Sequence, residues 1–152
     1  MYEFLHYQVR DAMTADPIAI SPKTKLHEVE ALFEFHDFNG VPVIDNQWHL
    51  RGILTKFDLL KAFSFDTHAL IPHYHEIMEQ TAETIMTHDP VSVEPQLPLS
   101  RLLQKLVEMR IKSLPVVENG RLVGIIARED VLKALRRAAI EHQTPEHQEL
   151  QP

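Results

Sequence analysis

The chain repeats itself. Met13-Thr14-x-Asp16-Pro17 returns 73 residues later as Met86-Thr87-x-Asp89-Pro90. The same offset superposes Pro22 on Pro95, Leu26 on Leu99 and Pro42-Val43 on Pro115-Val116. Past the next turn the offset falls to 72. Gly52, Ile53, Asp58, Leu60, Lys61 and Ala62 then match Gly124, Ile125, Asp130, Leu132, Lys133 and Ala134. Collinear matches over roughly fifty residues, with one residue lost, mark a duplicated folding unit and not a shared motif. The 152 residues fit one compact domain, or two small halves that share a core.

Each copy reads as strand, helix, strand, strand, helix. Ile18 and Ile20 alternate, as do Val91 and Val93, and Pro22 and Pro95 end the strand that each pair predicts. Leu26, Val29, Leu32 and Phe33 then recur at helical spacing, as do Leu99, Leu102, Leu103, Leu106 and Val107, with Pro98 where a first helical turn tolerates it. Val41–Ile44 and Leu114–Val117 are short apolar runs read as strands. Asn119-Gly120 links the second of these to Leu122–Ile126 as a two-residue hairpin, whereas the first copy uses the longer Asp45–Trp48. A helix follows each hairpin, from about Lys56 to Phe63 and from about Arg128 to Ile140. The expected organisation is a repeat at 9–63, a linker at 64–81, a second repeat at 82–140 and a polar tail at 141–152, frayed after Gln143. In the linker, Tyr74, Ile77 and Met78 predict one or two helical turns. The fold class is α/β (α+β), with two pseudo-symmetric units packed through their sheets, each covering the apolar face the other leaves bare.

Composition narrows the function. A net charge of −7 argues against a nucleic-acid surface, which needs a basic face. There is no cysteine, which removes disulfides, thiolate metal sites and cysteine nucleophiles. No apolar run approaches the roughly 18–20 residues that span a bilayer. Residues 1–9 show no signal-peptide pattern, so a cytoplasmic protein with no membrane insertion is expected.

The chemistry concentrates where the second hairpin strand of each copy runs into a helix: Gly52-Ile-Leu-Thr55-Lys-Phe-Asp58 and Gly124-Ile-Ile-Ala127-Arg-Glu-Asp130. Thr55 and Asp58 have the spacing of a capping box, which explains them without any ligand. The same groups could hold a nucleoside. A carboxylate accepts hydrogen bonds from both ribose hydroxyls, a threonine hydroxyl adds another contact, and free amides at a helix start favour an anion.

The ordered motifs resemble the cystathionine β-synthase (CBS) domain in tandem, a Bateman module. They are Asp11-x-Met13-Thr14-x-x-Pro17 with Val41-Pro-Val-Ile-Asp45 and Gly52–Asp58, then Ile85-Met86-Thr87-x-x-Pro90 with Leu114-Pro-Val-Val-Glu118 and Gly124–Asp130. The resemblance implies a regulatory module that binds AMP, ADP, ATP, S-adenosylmethionine or NAD in the cleft between repeats and signals to a separate effector protein. No cofactor is required. Carried over residue by residue, it implies a fuller pocket of Thr55, Asp58, Asp89, Val91, Ile111, Ser113 and Pro115. The companion pocket uses Asp130, Asp16, Ile18, Phe38 and Gly40. There Ala127 replaces the hydroxyl residue, so this pocket should be the weaker. Phosphates would meet Lys112 first, then Lys56 or Arg128. The Leu132, Leu135, Ala139, Ile140 stripe reads first as intramolecular core and second as a dimer contact; family members often pair through such helices, so a homodimer is expected. The alternative is a dimerisation scaffold with vestigial pockets.

Other signals are weaker. The chain has ten histidines, among them His68, His73 and His75, but no third ligand stands at defined metal spacing. No nucleophile motif or phosphate-cradling loop occurs, so no catalytic residue is assigned.

Overall fold

The computed structural model describes residues 2–64 and 73–149, and the side chains of 142–149 fall outside that description. The chain forms a mixed α+β structure with two three-stranded sheets. Its elements are α1 (Val9–Ala12), β1 (Thr14–Ala15), α2 (Leu26–Phe35), β2 (Gly40–Ile44), β3 (Leu50–Thr55), α3 (Lys56–Ser64), α4 (Tyr74–Met78), α5 (Ala82–Ile85), β4 (Thr87–His88), α6 (Leu99–Met109), β5 (Ser113–Glu118), β6 (Arg121–Ala127) and α7 (Arg128–Glu149).

The compact units do not coincide with the sequence repeats. Unit A contains the opening segment as far as Pro17, then Ser92–Glu118 and the chain from Val123 onward; unit B contains Ile18–Val91 and Asn119–Leu122. The sheets explain the exchange. β1, from the first repeat, pairs antiparallel with β6 of the second, Thr14 opposite Ile125 and Ala15 opposite Gly124. β4, from the second repeat, pairs with β3 of the first, Thr87 opposite Ile53 and His88 opposite Gly52. The sheet orders are β1-β6-β5 and β2-β3-β4.

This pairing gives the Met-Thr and Gly motifs their physical reason. A Cβ on Gly52 would stand 2.6 Å from Met86 Sδ and 2.7 Å from the Thr87 carbonyl oxygen. A Cβ on Gly124 would stand 2.7 Å from Met13 Sδ and 2.9 Å from the Thr14 carbonyl oxygen. Backbone cannot yield as a side-chain tip can, so only glycine lets the exchanged segment lie this close.

The strands expected at Ile18–Ile20 and Val91–Val93 contract to single parallel bridges, Ile20 to Val43 and Val93 to Val116. Each makes two hydrogen bonds: Ile20 N–H donates to the Pro42 carbonyl at 2.9 Å and Ile44 N–H to the Ile20 carbonyl at 2.8 Å. The prolines on either side limit them to that. The Asn119-Gly120 hairpin has both residues left-handed, at φ 54° and 79°, as a primed turn requires. The longer first loop is held by Asp45 Oδ1, which accepts the N–H groups of Gln47 at 2.9 Å and His49 at 3.0 Å. Burial raises the Asp45 pKa, but those two N–H bonds together with the nearby His49 and Arg51 charges outweigh it and leave the carboxyl below its usual range.

Each unit has its own core. In unit A, Leu99, Leu102 and Leu106 of α6 pack with Leu114, Val116, Ile126, Val131 and Ala138. In unit B, Leu26, Val29 and Phe33 of α2 pack with Val41, Val43, Leu54, Ile77 and Met78. The linker turn α4 thus contributes two core residues, and Lys25 Nζ on the α2 side holds Glu79 at 2.6 Å. Helix α7 runs to Glu149, beyond the expected Ile140 end, so the backbone expected to fray after Gln143 is helical as far as Glu149.

Candidate ligand-binding site

In unit B the strand β3 ends at Thr55 and α3 begins at Lys56, with no intervening loop. The first-turn amides there need acceptors. Thr55 N–H donates to Asp58 Oδ2 at 2.8 Å, and Thr55 Oγ1 donates to the same oxygen at 3.0 Å. Asp58 N–H donates back to Thr55 Oγ1 at 3.1 Å. This is the reciprocal capping arrangement that the spacing predicts. Asp58 is 3% exposed, the one buried charged residue among those described. Its second oxygen is also engaged: Lys61 Nζ lies 3.3 Å from Asp58 Oδ1. The same ammonium lies 5.4 Å from the centroid of the Phe57 ring. Gly40 pairs with Thr55 across the sheet, and Lys56 N–H donates to the Asn39 carbonyl at 3.0 Å.

In unit A the matching turn is built with fewer groups. Ala127 N–H donates to Asp130 Oδ2 at 2.8 Å. Alanine supplies no hydroxyl to complete the cap. Asp130 is half-buried and lines a cavity of about 160 Å³ with Tyr7, Asp11, Ala12, Lys133, Ala134 and Arg137. Among the described residues Lys133, the counterpart of Lys61, makes no ion pair. Tyr7 Oη donates to Glu141 at 3.2 Å, and burial followed by the Glu141 charge raises the phenol pKa. Arg137 stacks 5.7 Å from the Tyr7 centroid and binds Glu141 Oε1 at 3.1 Å. Arg128 N–H donates to the Lys112 carbonyl at 3.0 Å, and Arg128 Nε donates to the Ile111 carbonyl at 2.8 Å.

The sequence-derived pockets each draw on both units. Of the fuller set, Thr55, Asp58, Asp89 and Val91 lie in unit B, and Ile111, Ser113 and Pro115 in unit A. Of the companion set, Asp130 and Asp16 lie in unit A, and Ile18, Phe38 and Gly40 in unit B. Within a unit, each closing turn is flanked by the residues assigned to the opposite pocket. Gly40 sits beside Thr55, and Ile111-Lys112 is bonded to Arg128. Asp16 and Asp89, each before a proline, are both left-handed, at φ 51° and 47°. Asp89 lines a cavity of about 560 Å³ with Pro22, Leu50, Arg51, Glu83, Met86 and His88. Val91, Ile18, Lys112 and Lys56 are exposed. Of the phosphate candidates, Arg128 already spends its Nε on a carbonyl.

Lys61 was not singled out by sequence reasoning, though a lysine three residues after a candidate carboxylate on a helix was a signal that could have found it. No group of three or more metal-ligating side chains converges among the described residues, and His68 lies outside them. No described helix is long and apolar enough to cross a membrane.

Two α+β units with exchanged opening strands, each ending β6 or β3 in a carboxylate-capped turn, define a duplicated module with one candidate ligand turn per unit. The chain belongs to the CBS domain family, which matches residues 9–64 and again 82–137, and it is a tandem CBS pair. The crystal structure of CBSX2 in complex with AMP is similar at 26% identity and TM-score 0.74, covering 86% of this chain and 97% of that one. The CBS domain pair of protein MJ0100, in complex with 5′-methylthioadenosine and S-adenosyl-L-methionine, is 25% identical with TM-score 0.70, covering 87% and 98%. Inosine-5′-monophosphate dehydrogenase of Staphylococcus epidermidis is 31% identical over 128 residues, 82% of this chain and 24% of that enzyme. Against curated relatives this chain spans only part of their length, 22% of one and 64% of another.

Proposed function

We propose that this chain is a regulatory module that binds an adenosine-containing ligand and signals to a separate effector protein, without catalysing a reaction itself. The observation that carries the reading is the buried Asp58 carboxylate, set beside Thr55 at the start of α3 in a family whose similar structures hold AMP or S-adenosylmethionine. On this reading Asp58 accepts the ribose hydroxyls. Asp89 and Val91 are the adenine-side candidates of unit B, and Ile111, Ser113 and Pro115 those of unit A. Lys112 and Lys56 stand nearest the phosphates. Asp130, with Asp16, Ile18, Phe38 and Gly40, forms a weaker second pocket. Arg128 is the third phosphate candidate. Bound ligand favours one conformation over others, and the effector reads that shift. The module acts in the cytoplasm.

Thermal melting with millimolar AMP, ADP, ATP, S-adenosylmethionine and NAD tests the reading. A ligand present at one hundred times its dissociation constant adds about 2.7 kcal/mol to stability. A raised melting temperature with at least one compound supports the proposal; no shift with any of them overturns it.

A second reading rests on a different observation. Leu103, Leu106, Val107, Arg128, Val131, Leu132 and Leu135 line an apolar groove of about 260 Å³ between α6 and α7. Val107 and Leu132 are 69% and 58% exposed. A homodimer through these helices would cover it, and a scaffold needs no ligand. Light scattering at micromolar concentration should give twice the 17.6 kDa chain mass if the pair forms.

A further inference from the structure

The two closing turns differ in more than a hydroxyl. At Asp130 one carboxylate oxygen accepts the Ala127 N–H, and Lys133 stands clear. At Asp58 both oxygens are spoken for: Oδ2 by two donors of Thr55, Oδ1 by the Lys61 ammonium at 3.3 Å. A ribose diol needs free carboxylate lone pairs. Oδ2 already accepts two Thr55 donors, so a ribose diol would compete for Oδ1, the oxygen that Lys61 faces, and Lys61 is the partner best able to give way, being the end of a long flexible side chain, 45% exposed.

Displacement has an electrostatic consequence. Moving Lys61 off Asp58 leaves a buried carboxylate without its cation and a cation without its carboxylate. A ligand bearing an anion close to its ribose compensates the freed ammonium, which starts within 3.3 Å of the carboxylate holding the sugar. A neutral ligand leaves the ammonium uncompensated. A cationic one repels it.

We propose that Lys61 is a specificity-determining residue: an internal competitor for Asp58 that makes this turn select phosphorylated adenosine over neutral or cationic adenosyl compounds. The inference rests on the ligand-binding reading above, and it adds a ligand class and a residue that reading lacks. Lys61 acts by exchange, leaving the carboxylate as the sugar arrives and pairing with the phosphate.

The test is calorimetric titration of AMP and of 5′-methylthioadenosine into the full chain and its Lys61→Gln and Lys61→Arg variants, all carrying Asp130→Ala so that one turn is observed. The unsubstituted Lys61 protein should prefer AMP. Lys61→Gln should bind 5′-methylthioadenosine more tightly and AMP more weakly, each on the order of fivefold, the scale of one partly exposed ion pair. Lys61→Arg should keep the preference for AMP. An unchanged AMP to methylthioadenosine ratio in Lys61→Gln, or equal weakening of both, overturns the role of Lys61 while leaving ligand binding in place. Failure of every protein to bind either compound overturns both this inference and the reading beneath it.

Discussion

The turns at Thr55–Asp58 and Ala127–Asp130 descend from one duplicated sequence, and comparing them separates what the fold needs from what a ligand would use. Both keep a carboxylate on the backbone N–H three residues earlier, at 2.8 Å in each case. That bond is the structural minimum, since it satisfies an amide at a helix start. The hydroxyl, the lysine pairing and the full burial occur only at Asp58. The Asp130 turn shows that the fold stands without these additions, so they are free to serve a ligand as well as the cap. Recognition of a charged nucleoside is the role proposed here.

The largest expected effect tests the shared part of the comparison. Gly52→Ala and Gly124→Ala each drive a methyl group against a backbone carbonyl oxygen, at 2.7 and 2.9 Å. Each should cost about 1–3 kcal/mol, the scale of overpacking, read as a drop in the chemical-denaturation midpoint. The two losses should be similar. If Gly124→Ala were neutral, β1 would not lie as close to β6 as Thr14–Ile125 pairing requires.

Asp58→Ala and Asp130→Ala sharpen the contrast. The first removes the acceptor of two hydrogen bonds and the partner of Lys61; the second removes the acceptor of one. At roughly 1 kcal/mol per bond, urea melts should show about 2 kcal/mol lost in the first and about 1 in the second. Equal losses would mean the Thr55 hydroxyl and Lys61 add nothing to the folded state.

Exchanging the hydroxyl is subtler. Thr55→Ala should cost about 1 kcal/mol, and Ala127→Thr should gain up to the same by completing the second cap. Denaturation of both single variants checks the sign. A stabilising Thr55→Ala would contradict the cap geometry.

The smallest effect concerns unit B alone. Lys25 and Glu79 bond at 2.6 Å with both side chains about half exposed. The hydrogen bond and charge of Lys25 lower the Glu79 pKa below 4.5, and those of Glu79 raise the Lys25 pKa above 10.5. The lowered carboxyl contributes stability above its unfolded pKa, which is lost as pH falls through the folded value. The raised ammonium contributes below its unfolded pKa, lost as pH rises through its folded value. Melting temperatures of Glu79→Gln and the parent chain should therefore differ slightly near neutral pH and converge in acid, once pH falls below the lowered Glu79 pKa.

Much of this was legible in the chain. The duplication, the helices at Leu26 and Leu99, the Asn119-Gly120 hairpin and the α4 turn all follow from local periodicity and turn chemistry. What escaped was non-local. That Met13-Thr14 would pair with Gly124-Ile125, and Met86-Thr87 with Gly52-Ile53, leaves no mark in hydropathy, because both two-residue strands are exposed. The motif offsets recorded the duplication but not the exchange. The Thr55–Asp58 cap was visible as spacing. The Lys61 contact was also readable as an i,i+3 spacing, but that spacing alone does not separate Lys61 from Lys133, which has the same sequence context and makes no ion pair among the described residues.

Titration of AMP into the full chain and into Asp58→Ala tests the central claim most directly. The account predicts that the parent chain binds AMP and that Asp58→Ala binds it at least about tenfold more weakly, the loss of one or two hydrogen bonds to a charged acceptor. AMP affinity unchanged by Asp58→Ala, or no AMP binding by the parent chain, would contradict it.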